Sequence, residues 1–213
     1  VKRELEIELE GLAGFGKPNL MLEQYVTPPS LAAFIASTAY LHSDLKRVLD
    51  LGCGTGMLAL ASAKLGASVV GIDIDREALR IARKNSEKLG VDLSLVQADV
   101  RHLSLRRRDF TTVMNPPFGI QKRHADRPFL FKALEASNVV YTIHSAGSET
   151  FVRKVSAERG FSVTHLWRFS IPLRRTYEFH EKEFKYIPVE VYRIEKVQNL
   201  RREVVDENRV PRR

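Results

Sequence analysis

Strand-length apolar runs alternate along this chain with longer stretches in which apolar residues return every third or fourth position. Residues 48–51, Val-Leu-Asp-Leu, form such a run and end in glycines at alternate positions, Gly52, Gly54 and Gly56. Residues 57–65 then read as a helix, with Gly66 as its stop. Residues 69–73 predict a second strand ending on Asp73, Asp75 caps a helix that runs to Leu89 and ends at Gly90, and residues 93–98 predict a third strand. Residues 110–114 predict a fourth strand, 126–137 a helix and 138–143 a fifth strand, after which Ser148 opens a helix closed by Gly160. Two further strands, 161–169 and 186–194, have no helix between them and should therefore pair antiparallel. Ahead of the first strand, residues 1–23 mix charge with Leu5, Ile7, Leu9 and Leu12 in a pattern that suits a short strand or a helix. Residues 28–41 carry Leu31, Phe34, Ile35, Thr38 and Leu41 at helical spacing, with Thr27 as N-cap and Pro28 at the first helical position.

Strand–helix–strand alternation of this kind predicts an α/β fold. It should have a Rossmann-like, seven-stranded, mostly parallel sheet with one antiparallel strand and helices on both faces. The expected organisation is a single domain over residues 1–196, with an N-terminal cap over about 1–47, and a charged C-terminal tail over 197–213. A chain of 213 residues, 44% hydrophobic and 28% charged, can bury one sizeable core. No apolar run is long enough to cross a bilayer, and the charged, Glu-rich first residues are unlike a secretion signal. Cys53 is the single cysteine, which excludes an internal disulfide or a cysteine-rich zinc site and fits a reducing, cytoplasmic setting; no metal is expected. A net charge of +8 suggests a polyanionic partner. Much of the excess lies between Arg101 and Lys132, where Arg106, Arg107, Arg108, Lys122, Arg123 and Arg127 face only Asp109 and Asp126. Any one of these bases is an ordinary solvated side chain, but their clustering favours a phosphate backbone.

Two stretches carry chemistry. The turn over residues 50–56, Asp-Leu-Gly-Cys-Gly-Thr-Gly, bends sharply and exposes backbone that a Cβ would shield, while Asp73 follows about 20 residues on, the interval expected for a carboxylate gripping ribose hydroxyls. Its G-x-G-x-G spacing behind an Asp resembles motif I of S-adenosylmethionine (SAM)-dependent class I methyltransferases. A second stretch, Asn115-Pro116-Pro117-Phe118-Gly119, leaves the end of the fourth strand, where ligands gather in an open α/β sheet. Asn115 and Pro116 each precede a proline and are biased toward extended backbone, and both prolines have fixed φ and no N–H. The result is a stiff loop offering two acceptors, the Asn115 side-chain oxygen and the Pro116 carbonyl. Two acceptors that hold the hydrogens of an exocyclic amine can aim its lone pair at a methyl donor, and catalysis is then mostly alignment and electrostatics. Phe118 offers a stacking face. One such stack contributes roughly 1–3 kcal/mol, against about a few kcal/mol for extruding a paired base, so the expected target is already unpaired.

With these motifs in place, the chain resembles the methyltransferase-like-5 family of small-subunit ribosomal RNA adenine-N6 methyltransferases. The resemblance runs from Leu22 to about Glu195 and rests on Leu22-Glu-Gln-Tyr-Val-Thr-Pro28, the glycine turn, Gly71-Ile-Asp-Ile-Asp75, Gln97-Ala-Asp-Val100, Asn115-Pro-Pro-Phe-Gly119 and Tyr177-Glu-Phe-His180. It implies that Gln24, Thr27, Asp50, Gly52, Gly54, Thr55, Met57, Asp73, Asp99 and Val100 bind SAM, with Asp73 on the ribose and Asp99 and Val100 at the cofactor adenine. Asn115, Pro116, Pro117 and Phe118 would hold the target adenine. Lys122, Arg123, Arg174, Arg175, Tyr177, Phe179 and His180 would face RNA, although His180 serves equally well as a loop hydrogen-bonder. The chain departs from the family at Val26, at Thr55 and at the Arg174-Arg175 pair. The resemblance also implies a small zinc-containing activator, expected at the edge of the third strand through Leu93 and Leu95, whose alternative is an ordinary edge packed on its neighbouring helix. Two other functions fit the same loop: transfer to a protein glutamine amide, and non-catalytic RNA binding by an assembly factor that retains the fold.

Overall fold

The structure, a computed structural model, describes residues 1–105, 109–119, 121, 124–174 and 184–197. Seven strands form one sheet: β1 (Arg47–Leu51), β2 (Ser68–Asp73), β3 (Ser94–Gln97), β4 (Phe110–Met114), β5 (Ser137–Ser145), β6 (Phe161–Arg174) and β7 (Phe184–Lys196). Their spatial order is β3-β2-β1-β4-β5-β7-β6. Strands β1 to β5 run parallel, and β7 is antiparallel to both of its neighbours, which makes it the one reversed strand of the expected architecture. The chain winds outward through α3 (Met57–Lys64) and α4 (Arg76–Leu89), then returns across β1 to start β4. That reversal opens a crevice at the carboxyl ends of β1 and β4.

Central strands buried on both sides send alternate residues into two cores. Val48, Val69 and Val113 meet α1 (Lys2–Glu10), α2 (Pro29–Leu41) and α3 on one face. Leu49, Leu51, Ile72 and Met114 meet α5 (Arg127–Ala136) and α6 (Glu149–Glu158) on the other. α4 begins and ends as its sequence requires: the Asp75 carboxylate accepts from the Glu77 N–H, and Gly90 closes the helix in the left-handed region at φ +67°.

Three expectations shift. Residues 2–10 are helix, because Leu5 and Leu9, four apart, are the buried pair while Ile7 is exposed. α2 starts at Pro29, one residue later than its spacing suggests; Pro28 precedes another proline and is held extended at ψ 139°. Thr27 therefore makes no cap bond there, and its hydroxyl turns to the site instead. β3 begins at Ser94, so Leu93 lies before the strand, buried at 4% exposure, with its carbonyl taken by the Arg83 guanidinium.

β6 and β7 are also longer than their apolar runs suggest. β5 pairs with β7 as far as Ser145 opposite Val189, and beyond that point residues 184–188 of β7 pair with β6 alone. This two-stranded arm overhangs the carboxyl ends of the parallel strands, the side on which the crevice opens. Arg174 closes β6 at the end of the arm. The expected RNA contacts Lys122, Arg123, Arg175, Tyr177, Phe179 and His180 lie outside the described residues, as do Arg106, Arg107, Arg108 and the tail from residue 198 onward.

Candidate active site

A glycine turn held by two carboxylates forms the floor of the crevice. Gly52, Gly54 and Gly56 have φ of +71°, +52° and +92°. The N–H groups of Gly52 and Cys53 donate to the Ile72 carbonyl at 2.8 and 3.0 Å, which ties the turn to β2. The Asp73 carboxylate accepts from Gly54 N–H at 2.7 Å and from Asp75 N–H at 2.8 Å, so a single side chain sets both turns. Asp50 lies beneath, 1% exposed, and accepts from the Ala59 N–H at 2.9 Å. Burial pushes its carboxyl up to about 8, and burial likewise raises Asp73. Asp99 is the opposite case: the Arg101 guanidinium that hydrogen-bonds it holds its carboxyl down at about 2.

A cavity of about 300 Å³ stands over this floor. All ten residues expected to bind the cofactor line it: Gln24, Thr27, Asp50, Gly52, Gly54, Thr55, Met57, Asp73, Asp99 and Val100. Asn115 and Pro117 line the same cavity, and Pro116 and Phe118 neighbour them in the loop. The Asn115 Nδ2 donates to Thr27 Oγ1 at 3.0 Å. Its Oδ1 is buried with no hydrogen-bond partner among the described residues. The Phe118 ring lies within 15° of parallel to Tyr25, with centroids 6.4 Å apart.

The sequence did not point to several side chains that complete the site. Phe15 and Phe129 lie so close to the turn that a Cβ on Gly54 would come within 2.8 Å of Phe15 Cζ, and one on Gly52 within 2.9 Å of Phe129 Cε1. Gln24, already expected at the cofactor, bridges, accepting from Asn19 N–H at 2.7 Å and donating to Asp75 Oδ2 at 2.6 Å. Glu23, 6% exposed, accepts from the N–H groups of Gly119 and Gln121 at 3.0 and 2.8 Å. Where the loop descends into α5, Asp126 Oδ2 meets the buried His144 Nδ1 at 3.2 Å. Phe15 follows a glycine and Glu23 sits among apolar residues, and neither local pattern marks a ligand site.

The donor set suits SAM. A backbone cradle free of Cβ atoms, an acid at the end of β2 and another after β3, and an orphaned acceptor at the end of β4 all face one space.

Sheet order and site together define a class I methyltransferase. The model of a methyltransferase domain matches residues 48–136, the segment from β1 through α5. The chain is 42% identical to an uncharacterized Methanocaldococcus jannaschii protein over 92% of this chain and 94% of that one. It is 37% identical to the rRNA N(6)-adenosine-methyltransferase Mettl5 of Drosophila melanogaster, over 91% of this chain and 95% of the relative. A crystal structure from Pyrococcus horikoshii, described as a proposed RNA methyltransferase, superposes with a TM-score of 0.84 at 41% identity, covering 92% of this chain and 98% of that one. The chain belongs to the Mettl5 family of rRNA N6-adenosine methyltransferases.

Proposed function

We propose that this protein transfers a methyl group from SAM to the N6 amine of an unpaired adenine in ribosomal RNA, with the loop over residues 115–118 holding the base. The unsatisfied Asn115 Oδ1 carries the reading. A buried acceptor left without a donor costs about 1–3 kcal/mol, and an incoming N–H removes that cost, so the position selects for an amine. With the amide NH₂ taken by Thr27, the oxygen is the acceptor left for a donor.

When bound, SAM supplies an electrophilic methyl on a sulfonium. The chain's own residues do the rest. The turn over 52–56, Asp73, Asp99 and Val100 hold the cofactor along the floor. Asn115 Oδ1 accepts one hydrogen of the adenine amine and the Pro116 carbonyl accepts the other, which leaves the nitrogen lone pair free to point across the cavity. Pro116 and Pro117 stiffen this pair of acceptors. Phe118 stacks on the base, with Tyr25 as a second aromatic beside it. The amine proton becomes acidic only after nitrogen has bonded to carbon, so no base is required before attack.

A finer part of the proposal concerns a partner. β3 ends the sheet and pairs only with β2 among the described residues, which leaves one side of its backbone open. We propose that this edge takes the zinc-containing activator by strand addition. Leu93 and Leu95 do not face such a partner. Leu93, just before the strand, is buried in the core, and Leu95 packs against the same core. Val96, within β3, is 43% exposed, and Ile74, just past the end of β2, is 46% exposed.

The test is tritiated-methyl transfer from SAM to protein-free small-subunit ribosomal RNA, with the modified nucleoside identified by mass spectrometry. N6-methyladenosine is expected. No label in that RNA, with label on glutamine when ribosomal protein is offered instead, would support the protein-amide alternative, and RNA binding without label on either acceptor would support the assembly-factor alternative.

A further inference from the structure

We infer that Glu23 is a positioning residue for methyl transfer, fastening the far end of the reaction loop to the segment that also orients Asn115. The inference rests on the proposed adenine-N6 reading of the site.

The loop over residues 115–121 is rigid at one end only by its own chemistry. Pro116 and Pro117 lock the first half, but Gly119 has φ +81° and nothing in its sequence resists other conformations. Glu23 supplies that resistance. Its carboxylate has two acceptor oxygens, and each takes one backbone donor of the loop: Oε2 accepts from Gly119 N–H at 3.0 Å and Oε1 from Gln121 N–H at 2.8 Å. Four residues further on, Thr27 Oγ1 takes the Asn115 amide at 3.0 Å. One short segment therefore grips the loop on both sides of the diproline. The same segment is moored to the cofactor half of the cavity by Gln24, which donates to Asp75 Oδ2 at 2.6 Å.

Glu23 holds this place at a conformational cost. Its backbone is left-handed, φ 49° and ψ 46°, where a side chain with a Cβ is uncommon. Glycine or asparagine would sit there with less strain, so the position retains glutamate for what its carboxylate reaches. Only a carboxylate of this length fits both donors. Glutamine offers one acceptor and sets an NH₂ against the second N–H, and aspartate is a methylene short.

Glu23 lines the cavity beside Gln24, but the two hydrogen bonds of its carboxylate go to the reaction loop. Glu23 bonds the reaction loop, whereas the floor of the cofactor site is built by Asp50, Asp73 and the glycines. Loss of Glu23 frees the Phe118 side of the loop and leaves that floor standing.

The experiment measures kcat and the KM for SAM, with protein-free small-subunit ribosomal RNA as acceptor, for the wild-type protein, Glu23→Gln and Glu23→Ala. S-adenosylhomocysteine affinity is measured on the same samples by calorimetry, and melting temperature with and without that ligand. The expected result is a loss of about a hundredfold in kcat. The KM for SAM and the S-adenosylhomocysteine affinity should stay within about threefold of wild type, because ground-state cofactor contacts are kept. Glu23→Gln, nearly the same shape, tests the point if Glu23→Ala does not fold. A kcat within about threefold of wild type in a folded variant overturns the inference. So does a parallel loss of kcat and S-adenosylhomocysteine binding, or failure of both variants to fold, since either makes Glu23 a residue of the general fold. A wild-type protein that yields no N6-methyladenosine removes the functional reading itself, and that result is read before any variant is compared.

Discussion

Asn115 has two faces: its NH₂ is taken by Thr27, and its oxygen is buried without a partner among the described residues, free for the amine proposed above. Asn115→Ala should lower methyl transfer by about 10²- to 10³-fold, the usual cost of one donor or acceptor aimed at a reacting centre. SAM binding measured by calorimetry should be unchanged; equal loss of both would place Asn115 in the cofactor site instead. Asp50 makes a different prediction. Its carboxyl is raised to about 8 in the folded protein, from an ordinary value of about 4. The unfolded chain thus loses this proton at a lower pH than the folded one. Stability from this group is complete below about pH 4 and is lost as pH rises through about 8. Asp50→Asn keeps an acceptor for the Ala59 N–H but cannot ionise. Between pH 5 and 8 the wild-type protein should lose on the order of 1–3 kcal/mol more than this variant in urea unfolding. Parallel stability curves would contradict the assignment. At this scale the sequence was readable wherever function is local: the glycines and Asn115-Pro116-Pro117-Phe118 carry their chemistry in their own spacing. Glu23 was not readable, because its two partners lie 96 and 98 residues away and an acid in a loop is ordinarily solvated.

The glycine turn is the element on which packing and binding meet. A methyl group at Gly54 would sit 2.8 Å from the Phe15 ring at a backbone φ of +52°. Gly54→Ala combines left-handed strain of about 1–2 kcal/mol with overpacking of about 1–3 kcal/mol. The melting temperature should fall by roughly 4–20 °C for a domain of this size, and SAM affinity should fall with it. Pairing the change with Phe15→Ala relieves the overlap and not the strain, so recovery should be partial. Full recovery, or no initial loss, would show that the turn has room to spare. Element types and order were legible because period and punctuation agreed; α4 is the plainest case, with cap, amphipathic face and closing glycine all present. Boundaries failed where tertiary contacts decide. The hydroxyl of Thr27 is claimed by Asn115, β6 and β7 extend by pairing with each other beyond their apolar cores, and Leu93 leaves β3 to fill space beneath α4.

Across the whole molecule, the two ends of the sheet differ. β3 is short and open, and β6 is long and carries Pro172, which interrupts any ladder on that side. Val96→Lys should weaken co-purification with a partner that adds a strand to β3 and leave the isolated protein within about 0.5 kcal/mol of wild type, as an exposed site permits. Undiminished co-purification would put the partner elsewhere.

The placement of β7 has a further consequence, for the order in which the chain can be completed. The last of the described strands does not join a rim; it slots between β5 and β6. Until the ribosome has released residues 184–196, β5 presents a bare row of hydrogen-bonding groups and β6 has no neighbour in the sheet among the described residues. A nascent chain stopped short of Val189 would therefore be sticky rather than merely shortened, and its maturation would depend on residues 184–196 closing the gap like a keystone.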